Sequence, residues 1–439
     1  MSAATALRAA ALWFRGDPFE LPPEQALGHD SDALLVMRDG RIEAFGPAAA
    51  LLPALDPGVA VHHYPGATLL PGFVDCHVHF AQLGIMGAGG LPLLDWLERC
   101  TFPEERRFAD PAVARDVARL FLRELVRHGT TTAAVFGTVH AEAVDVLFQE
   151  AMDSGLRVIA GKSLMDRNAP DGLCDTAQQG YEESRDLIRR WHGRGRLGYA
   201  VTPRFLATSS PTQLEAVTAL RQAFPTVWLQ SHLSENLAEV AWIRALHPGS
   251  RDYVDAMERS GLLGPRAIHG HGIHLSVREW GRLSATGTAI AHCPTSNLFL
   301  GSGLFDLAAA KRQMPPVRVG LASDVGAGTT LSMLRTMGAA CEVAQLRGHA
   351  LAPAQALWLA TGGAALALDL GDSIGNLRPG LEADVVVLDP STVPLLAWVA
   401  SRAADPGHWL GVLQTLGDDR CVAAVYAAGR RVGGAAPPF

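Results

Sequence analysis

Short apolar runs alternating with amphipathic stretches fill the middle of this chain. Eight such runs occupy residues 67–78, 130–136, 156–164, 197–205, 227–232, 267–273, 288–292 and 317–322. They are apolar at consecutive positions and bounded by turn residues, the pattern of strands buried on both faces. Helical patterning lies between several of them. After Asp110-Pro111, an N-cap and first-turn proline, Val113, Val117, Leu120, Phe121 and Leu125 make one stripe. After Ser210-Pro211, Leu214, Val217 and Leu220 make another. Strands alternating with helices imply an α/β fold with a parallel sheet. Eight of them favour a closed (β/α)₈ TIM-like barrel over a doubly wound open sheet.

The two chain ends are patterned differently. Residues 33–37 and 42–45 read as strands around Arg38-Asp39-Gly40-Arg41, whose Asp-Gly pair signals a tight hairpin turn. Residues 383–388, 421–426 and 429–432 read as further strands near the other end. Chain ends often lie close together, so these segments are expected to share one small sheet unit. The tail over 433–439, rich in Gly, Ala and Pro, is expected to be loose.

Composition narrows what such a molecule does. With 48% apolar and 18% charged residues among 439, the chain buries a large core and is not disordered. Its length fits one large domain and a smaller one. The formal net charge is −7 and no Lys/Arg-rich run is present, which argues against a nucleic-acid partner. No apolar stretch approaches the roughly 20 residues of a membrane-spanning helix. Arg8 interrupts the mildly apolar start where a secretory segment would be longer and uncharged. The six cysteines are scattered with no C-x-x-C pair, as free thiols of a reducing compartment are. Cytoplasmic residence is the expectation.

The chemistry concentrates at the ends of the apolar runs. The first run continues into His77-Val78-His79, and on a strand two imidazoles one residue apart point the same way. The fifth run leads into Gln230-Ser231-His232-Leu233-Ser234-Glu235, the sixth holds His269-Gly270-His271, and the eighth leads into Ser323-Asp324-Val325-Gly326. Barrel enzymes place their reacting groups at the C-terminal ends of strands. Histidines and one carboxylate from four strands suit a mononuclear zinc or iron centre with an open position for water.

This set resembles the amidohydrolase superfamily, in the form with one metal and no bridging modified lysine. A tighter resemblance, to the guanine deaminases, is carried by segment 71–82 with its final Gln82, and by Leu91-Pro92-Leu93-Leu94-Asp95-Trp96-Leu97 followed by Thr101-Phe102-Pro103. It is carried further by Gly129-Thr130-Thr131-Thr132, Gly161-Lys162 and Thr202-Pro203-Arg204-Phe205. The remaining motifs are 231–236, His292-Cys293-Pro294, Ser296-Asn297-Leu298 and Ser323-Asp324-Val325. Similarity runs from about residue 69 to residue 390.

The resemblance implies a barrel over 67–377 between β-sandwich halves at 1–66 and 378–439. It implies His77, His79, His232 and Asp324 as metal ligands, with His271 beside the attacking water. Gln82, Arg204 and Phe205 fall to substrate binding. The implied reaction is hydrolytic deamination of guanine to xanthine and ammonia in a zinc enzyme, iron being the alternative metal, and the implied assembly is a homodimer. Zinc brings the pKa of bound water to about 7. Asp324 is suited to take the water's proton, and Glu235 to protonate a ring nitrogen and then the leaving amine. A planar guanidinium at Arg204 matches the carbonyl and ring nitrogen of a purine.

Other readings stay open. One is a deaminase for another amino-heterocycle: a pterin, a triazine or an adenosine-type purine. Another is an inactive barrel used as a scaffold, although such relatives lose ligands that this chain keeps. Lys162 reads as an ordinary lysine rather than a carboxylated metal bridge, and Cys76 and Cys293 as buried thiols. His269 shares a strand face with His271 and reads as a core residue deeper in the barrel. Cys100 departs from the aromatic residue often found there in the family, which bears on the lid; Trp96 and Phe102 either stack on a purine or pack that lid.

Overall fold

A computed structural model of the chain describes residues 4–434. Four strands form its N-terminal part: β1 (Thr5–Phe14), β2 (Leu27–Arg38), β3 (Arg41–Pro47) and β4 (Ala60–Pro71). The hairpin between β2 and β3 turns at Asp39 and Gly40, both at positive φ (48° and 80°), the conformation of a two-residue hairpin turn. The barrel strands follow: β5 (Phe73–His79), β6 (Thr130–Phe136), β7 (Arg157–Gly161), the two-residue β8 (Ser163–Leu164), β9 (Leu197–Pro203), β10 (Trp228–Leu233), β11 (Ala267–His271), β12 (Ala289–His292) and β13 (Val319–Leu321). The C-terminal part adds β14 (Val385–Leu388), β15 (Val422–Ala427) and β16 (Arg430–Gly433).

Both chain ends do share one sheet. Its order is β16-β15-β14-β4-β1-β2-β3, joined through the antiparallel β4–β14 pair. Gly433 closes β16, so that part of the tail is a strand end; residues 435–439 lie outside the described residues.

The first apolar run, read above as one strand, is two. Residues up to Pro71 complete β4 in the small sheet, and Phe73 starts β5 in the barrel. Gly72 forms the corner, donating its N–H to Asp384 O at 2.9 Å. A Cβ there would come within 2.3 Å of Thr131 Oγ1, so the close approach requires glycine. An unbroken apolar run carries no mark of a strand changing sheets, which is why the expected boundary at 66/67 precedes the observed corner.

The barrel strands are parallel in the order β5-β6-β7-β9-β10-β11-β12-β13. Two backbone bonds of 2.9 Å, Asp324 N to His77 O and His79 N to Val325 O, join the last strand's loop to the first strand at the C-terminal rim. Inside, Val74, Cys76, Ala134, Ile159, Ala200 and Ile268 pack on one another. Outside, the helices cover the strands.

Asp110 caps the helix Pro111–Arg127 as expected, accepting from Ala112 N at 2.8 Å. Its buried face is rotated from the expected stripe. Ala114, Ala118, Phe121, Leu122, Leu125 and Val126 are buried, while Leu120 is 41% exposed. The two alanines let the helix sit close to its neighbours, leaving Val113 and Val117 half-buried. The helix Pro211–Ala223 does bury Leu214, Val217 and Leu220 as its stripe predicts.

At the N-terminal rim a network of charges joins barrel to sheet. Arg196, beside the start of β9, donates to Glu382 Oε2 at 2.9 Å and to Asp384 Oδ2 at 2.5 Å, and Arg157 pairs with the other oxygen of Glu382. None of the described helices is long and apolar enough to cross a membrane.

Candidate metal centre and active site

His77 and His79 converge as the strand argument requires. Their Nε2 atoms are 3.2 Å apart, and His232 Nε2, from β10, lies 3.3 Å from that of His79. Asp324 Oδ1 is 3.3 Å from His77 Nε2 and 3.4 Å from His79 Nε2. Four ligand atoms about 2.1 Å from a tetrahedral zinc stand about 3.4 Å from one another, so the spacing fits such an ion. These four side chains, His232 half-buried and the others buried, form one group able to hold a metal. β5 is irregular between Asp75 and Val78, a bulge of the kind that re-aims side chains beside active sites.

The ionisation states suit ligation. Burial pushes His79 down to about 4, and burial with the neighbouring imidazoles pushes His232 well below its ordinary value, so both present neutral nitrogens. Burial pushes Asp324 upward, but hydrogen bonds from His77 and His79, with the charges of His77 and His271, outweigh it and hold the carboxyl well below its ordinary value. Arg204 O lies 2.7 Å from His232 Nδ1, so that nitrogen carries the proton and Nε2 faces the centre with its lone pair. Asp75, also buried, accepts from Ser323 N at 3.0 Å and from the Ser323 hydroxyl, anchoring the loop that carries Asp324. Ser234, His271 and Asp324 have φ of 51°, 74° and 49°, a strained region for residues with a Cβ and one that clusters at functional sites.

Beside the ligand group stands an acid pair. Glu235 Oε2 is 3.3 Å from His271 Nε2, and Asp324 Oδ2 is 3.8 Å from that nitrogen. Burial, then the charges of Asp324 and Glu239, hold Glu235 well above the ordinary carboxyl value. Ser302 donates to its Oε1 at 3.2 Å. Asn297 Oδ1 lies 2.9 Å from His271 Nδ1, and His271 Nε2 is buried without a hydrogen-bond partner, aimed at the ligand group. Gly270 has to be small: a Cβ there would meet the His77 ring at 2.9 Å.

The cavity above this group holds about 430 Å³ of space between its atoms, its open mouth included. His79, His232, Glu235, His271 and Asp324 line its polar end, and Gln82, Arg204 and Phe205 reach it as well. Leu93, Trp96, Leu97 and Leu300 cover it with apolar surface. Trp96 therefore lines the cavity, while the ring of Phe102 lies 5.7 Å from the Arg204 guanidinium. Cys100 sits in a π-helical turn, Leu97–Thr101, and packs with the lid cluster.

Four side chains here were missed from the sequence. Glu105 accepts from Arg204 Nη1 and Gln82 Nε2; Glu239 accepts from Glu235 N and the Tyr253 hydroxyl; Asp75 and Asn297 act as above. Glu239 had one local signal, the capping box with Asn236. Elsewhere Lys162 is buried in ion pairs with Asp175 (2.6 Å) and Glu183 (2.7 Å), outside the ligand group. His269 is a core residue, its Nε2 bonded to Leu262 O at 2.9 Å and its pKa pushed by burial to about 4.

Residues 68–432 match the model of the amidohydrolase family. Guanine deaminase of Escherichia coli (strain K12) is 46% identical over 93% of this chain and 92% of its own. A solved structure of E. coli guanine deaminase superposes with a TM-score of 0.95 at 42% identity, covering 99% of this chain and 100% of that one. A solved guanine deaminase from C. acetobutylicum with bound guanine in its active site gives a TM-score of 0.88 at 26% identity, covering 98% and 99%.

Proposed function

This chain belongs to the amidohydrolase family and, within it, to the guanine deaminases, and from that premise we infer the use of its site: hydrolytic deamination of guanine to xanthine and ammonia at a single zinc ion. His77, His79, His232 and Asp324 are its ligands in this reading, and ferrous iron is the competing occupant of the same donors. The observation that carries the reading is that Arg204 and Gln82 line one cavity together with three imidazoles and a carboxylate.

When bound, the metal supplies a hydroxide near neutral pH by Lewis-acid activation of water. The residues do the rest. Asp324 turns Oδ1 to the histidine pair and keeps Oδ2 toward His271, placed to take the proton of the attacking water. His271 holds its proton on Nδ1 against Asn297, so Nε2 accepts and orients that water. Glu235, whose hold on its proton burial strengthens, gives that proton to the ring nitrogen beside the amine-bearing carbon. It then passes the proton taken up by Asp324 to the departing amine and takes back the proton of the new hydroxyl as the carbonyl forms, so water's oxygen replaces nitrogen on the ring, ammonia leaves and Glu235 is an acid again. Leu93, Trp96 and Leu97 exclude bulk water above the ring.

The test is direct. Zinc-loaded protein given guanine is expected to release xanthine and ammonia in equal amounts; an inactive protein with one zinc per chain would sink the reading. The same reading puts the protein in the cytoplasm as a homodimer. Its six free cysteines support a reducing compartment, and sedimentation of the purified chain tests the dimer.

A further inference from the structure

We propose that Glu105 is a positioning residue that sets the hydrogen-bond polarity of the purine-reading wall, favouring a ring with a carbonyl beside an N–H over one with an amine beside a bare nitrogen. This rests on the reading of Gln82 and Arg204 as substrate contacts. Glu105 lies in the helix Phe102–Arg106 and is 1% exposed. A carboxylate so deeply buried is costly unless it is paired and hydrogen-bonded. Its partners are the two reading side chains: Arg204 Nη1 donates to Oε1 at 2.9 Å and Oε2 at 2.8 Å, and Gln82 Nε2 donates to Oε1 at 2.9 Å.

Two consequences follow from the chemistry of those groups. A carboxylate only accepts, so Gln82 must turn its amide N–H₂ toward Glu105. A glutamine amide is otherwise free to swap its ends, and here the swap is forbidden. Gln82 Oε1 is left as an acceptor, with only a long 3.4 Å approach from Gly326 N. Arg204 commits Nη1 to Glu105, and among the described residues its Nε and Nη2 have no hydrogen-bond partner. Phe102 stands beside the guanidinium on the same helix as Glu105. The wall thus offers one acceptor and two donors in fixed places.

Guanine answers with N1–H and O6. 2,6-Diaminopurine carries the reverse pair, a bare N1 and a 6-amine. Against it, the Gln82 carbonyl meets a lone pair and Arg204 meets an N–H donor, and mispaired buried groups reject a ligand strongly. Without an anionic acceptor at position 105, Gln82 can rotate and donate to the bare N1, which removes one of the two mismatches and leaves the one at Arg204.

The experiment compares kcat/KM for guanine with that for 2,6-diaminopurine, the latter also scored as a competitive inhibitor, in zinc-loaded parent, Glu105→Gln, Glu105→Asp and Arg204→Lys. The expected result is a preference for guanine narrowed at least about 10-fold in Glu105→Gln, because a neutral amide permits the swap. In Glu105→Asp, whose carboxylate keeps the charge at shorter reach, it narrows by about threefold with zinc content unchanged. Should Glu105→Gln not fold, Glu105→Asp decides. A preference within twofold of the parent in every Glu105 variant that folds, while Arg204→Lys narrows it, overturns the positioning role alone. A preference unmoved in Arg204→Lys as well overturns the purine-reading wall itself.

Discussion

The two rims of the barrel are made by the same strands and resolve their charges in opposite ways. At the N-terminal rim, Arg157 and Arg196 meet Glu382 and Asp384 in close pairs that join barrel to sheet. His269, within the barrel, has its carbonyl partner. At the C-terminal rim, three imidazoles crowd one carboxylate, a second carboxyl is driven toward its protonated form, and His271 Nε2 faces the group without a partner. Strained backbone at His271 and Asp324 collects there too. One rim pairs its charges with each other; the other turns its groups toward a cavity. A rim whose groups satisfy each other stabilises the fold, and a rim whose groups do not is where chemistry is done.

The sharpest way to break this contrast is to remove a ligand. His77→Ala is expected to lose bound metal and at least about 10³-fold in guanine turnover, with little fall in the thermal midpoint of the metal-free chain. Full metal content in that variant, by elemental analysis, would contradict the ligand assignment. Next comes the acid. Glu235→Gln should cut kcat by about 10²–10³-fold while metal stays bound. Because Glu235 titrates well above the ordinary carboxyl value, its acid form persists to higher pH than an ordinary carboxyl's and is lost as pH rises further. The parent's rate should therefore fall on the alkaline side, and that limb should vanish in Glu235→Gln; a limb that survives would mean another group supplies it. On the acid side the rate should fall as ligands protonate, and turnover that kept rising below about pH 5 would count against a metal-held hydroxide.

The opposite rim should behave in the opposite way. Arg196→Ala leaves Glu382 and Asp384 short of a partner in a largely buried setting, costing about 3 kcal/mol and lowering the thermal midpoint, with kcat/KM within about twofold of the parent. A large loss of turnover at unchanged stability would erase the distinction between the rims. The smallest effect is expected at Leu120, an exposed position in neither set of groups: Leu120→Ser should change stability by less than about 0.5 kcal/mol. A cost of 2 kcal/mol there would mean that this helix face is covered in solution.

Much of this layout was legible before any coordinates. The strands β6, β9, β10 and β12 fall within a residue or two of the apolar runs that announced them, because burial on both faces leaves an unbroken apolar signature. His77 and His79 converge because side chains one residue apart share a strand face. His232, His271 and Asp324 were visible as ligand-type residues at strand ends. Less legible was the helix Pro111–Arg127, where alanines took the core face and Leu120 turned outward; hydrophobicity alone ranks leucine above alanine and says nothing of how near the next helix comes.

What the chain determined by itself is local: which stretches are strands, where helices start, and which residue types stand at the strand ends. What only the tertiary structure decided is every relation between distant segments. Glu105 meets Arg204 and Gln82, Asp75 holds the loop of Asp324, and Gly72 turns the strand from one sheet into another. Periodicity records a residue's own burial and nothing about which remote group shares it, so a buried carboxylate between two readers looks, in sequence, like any glutamate on a helix.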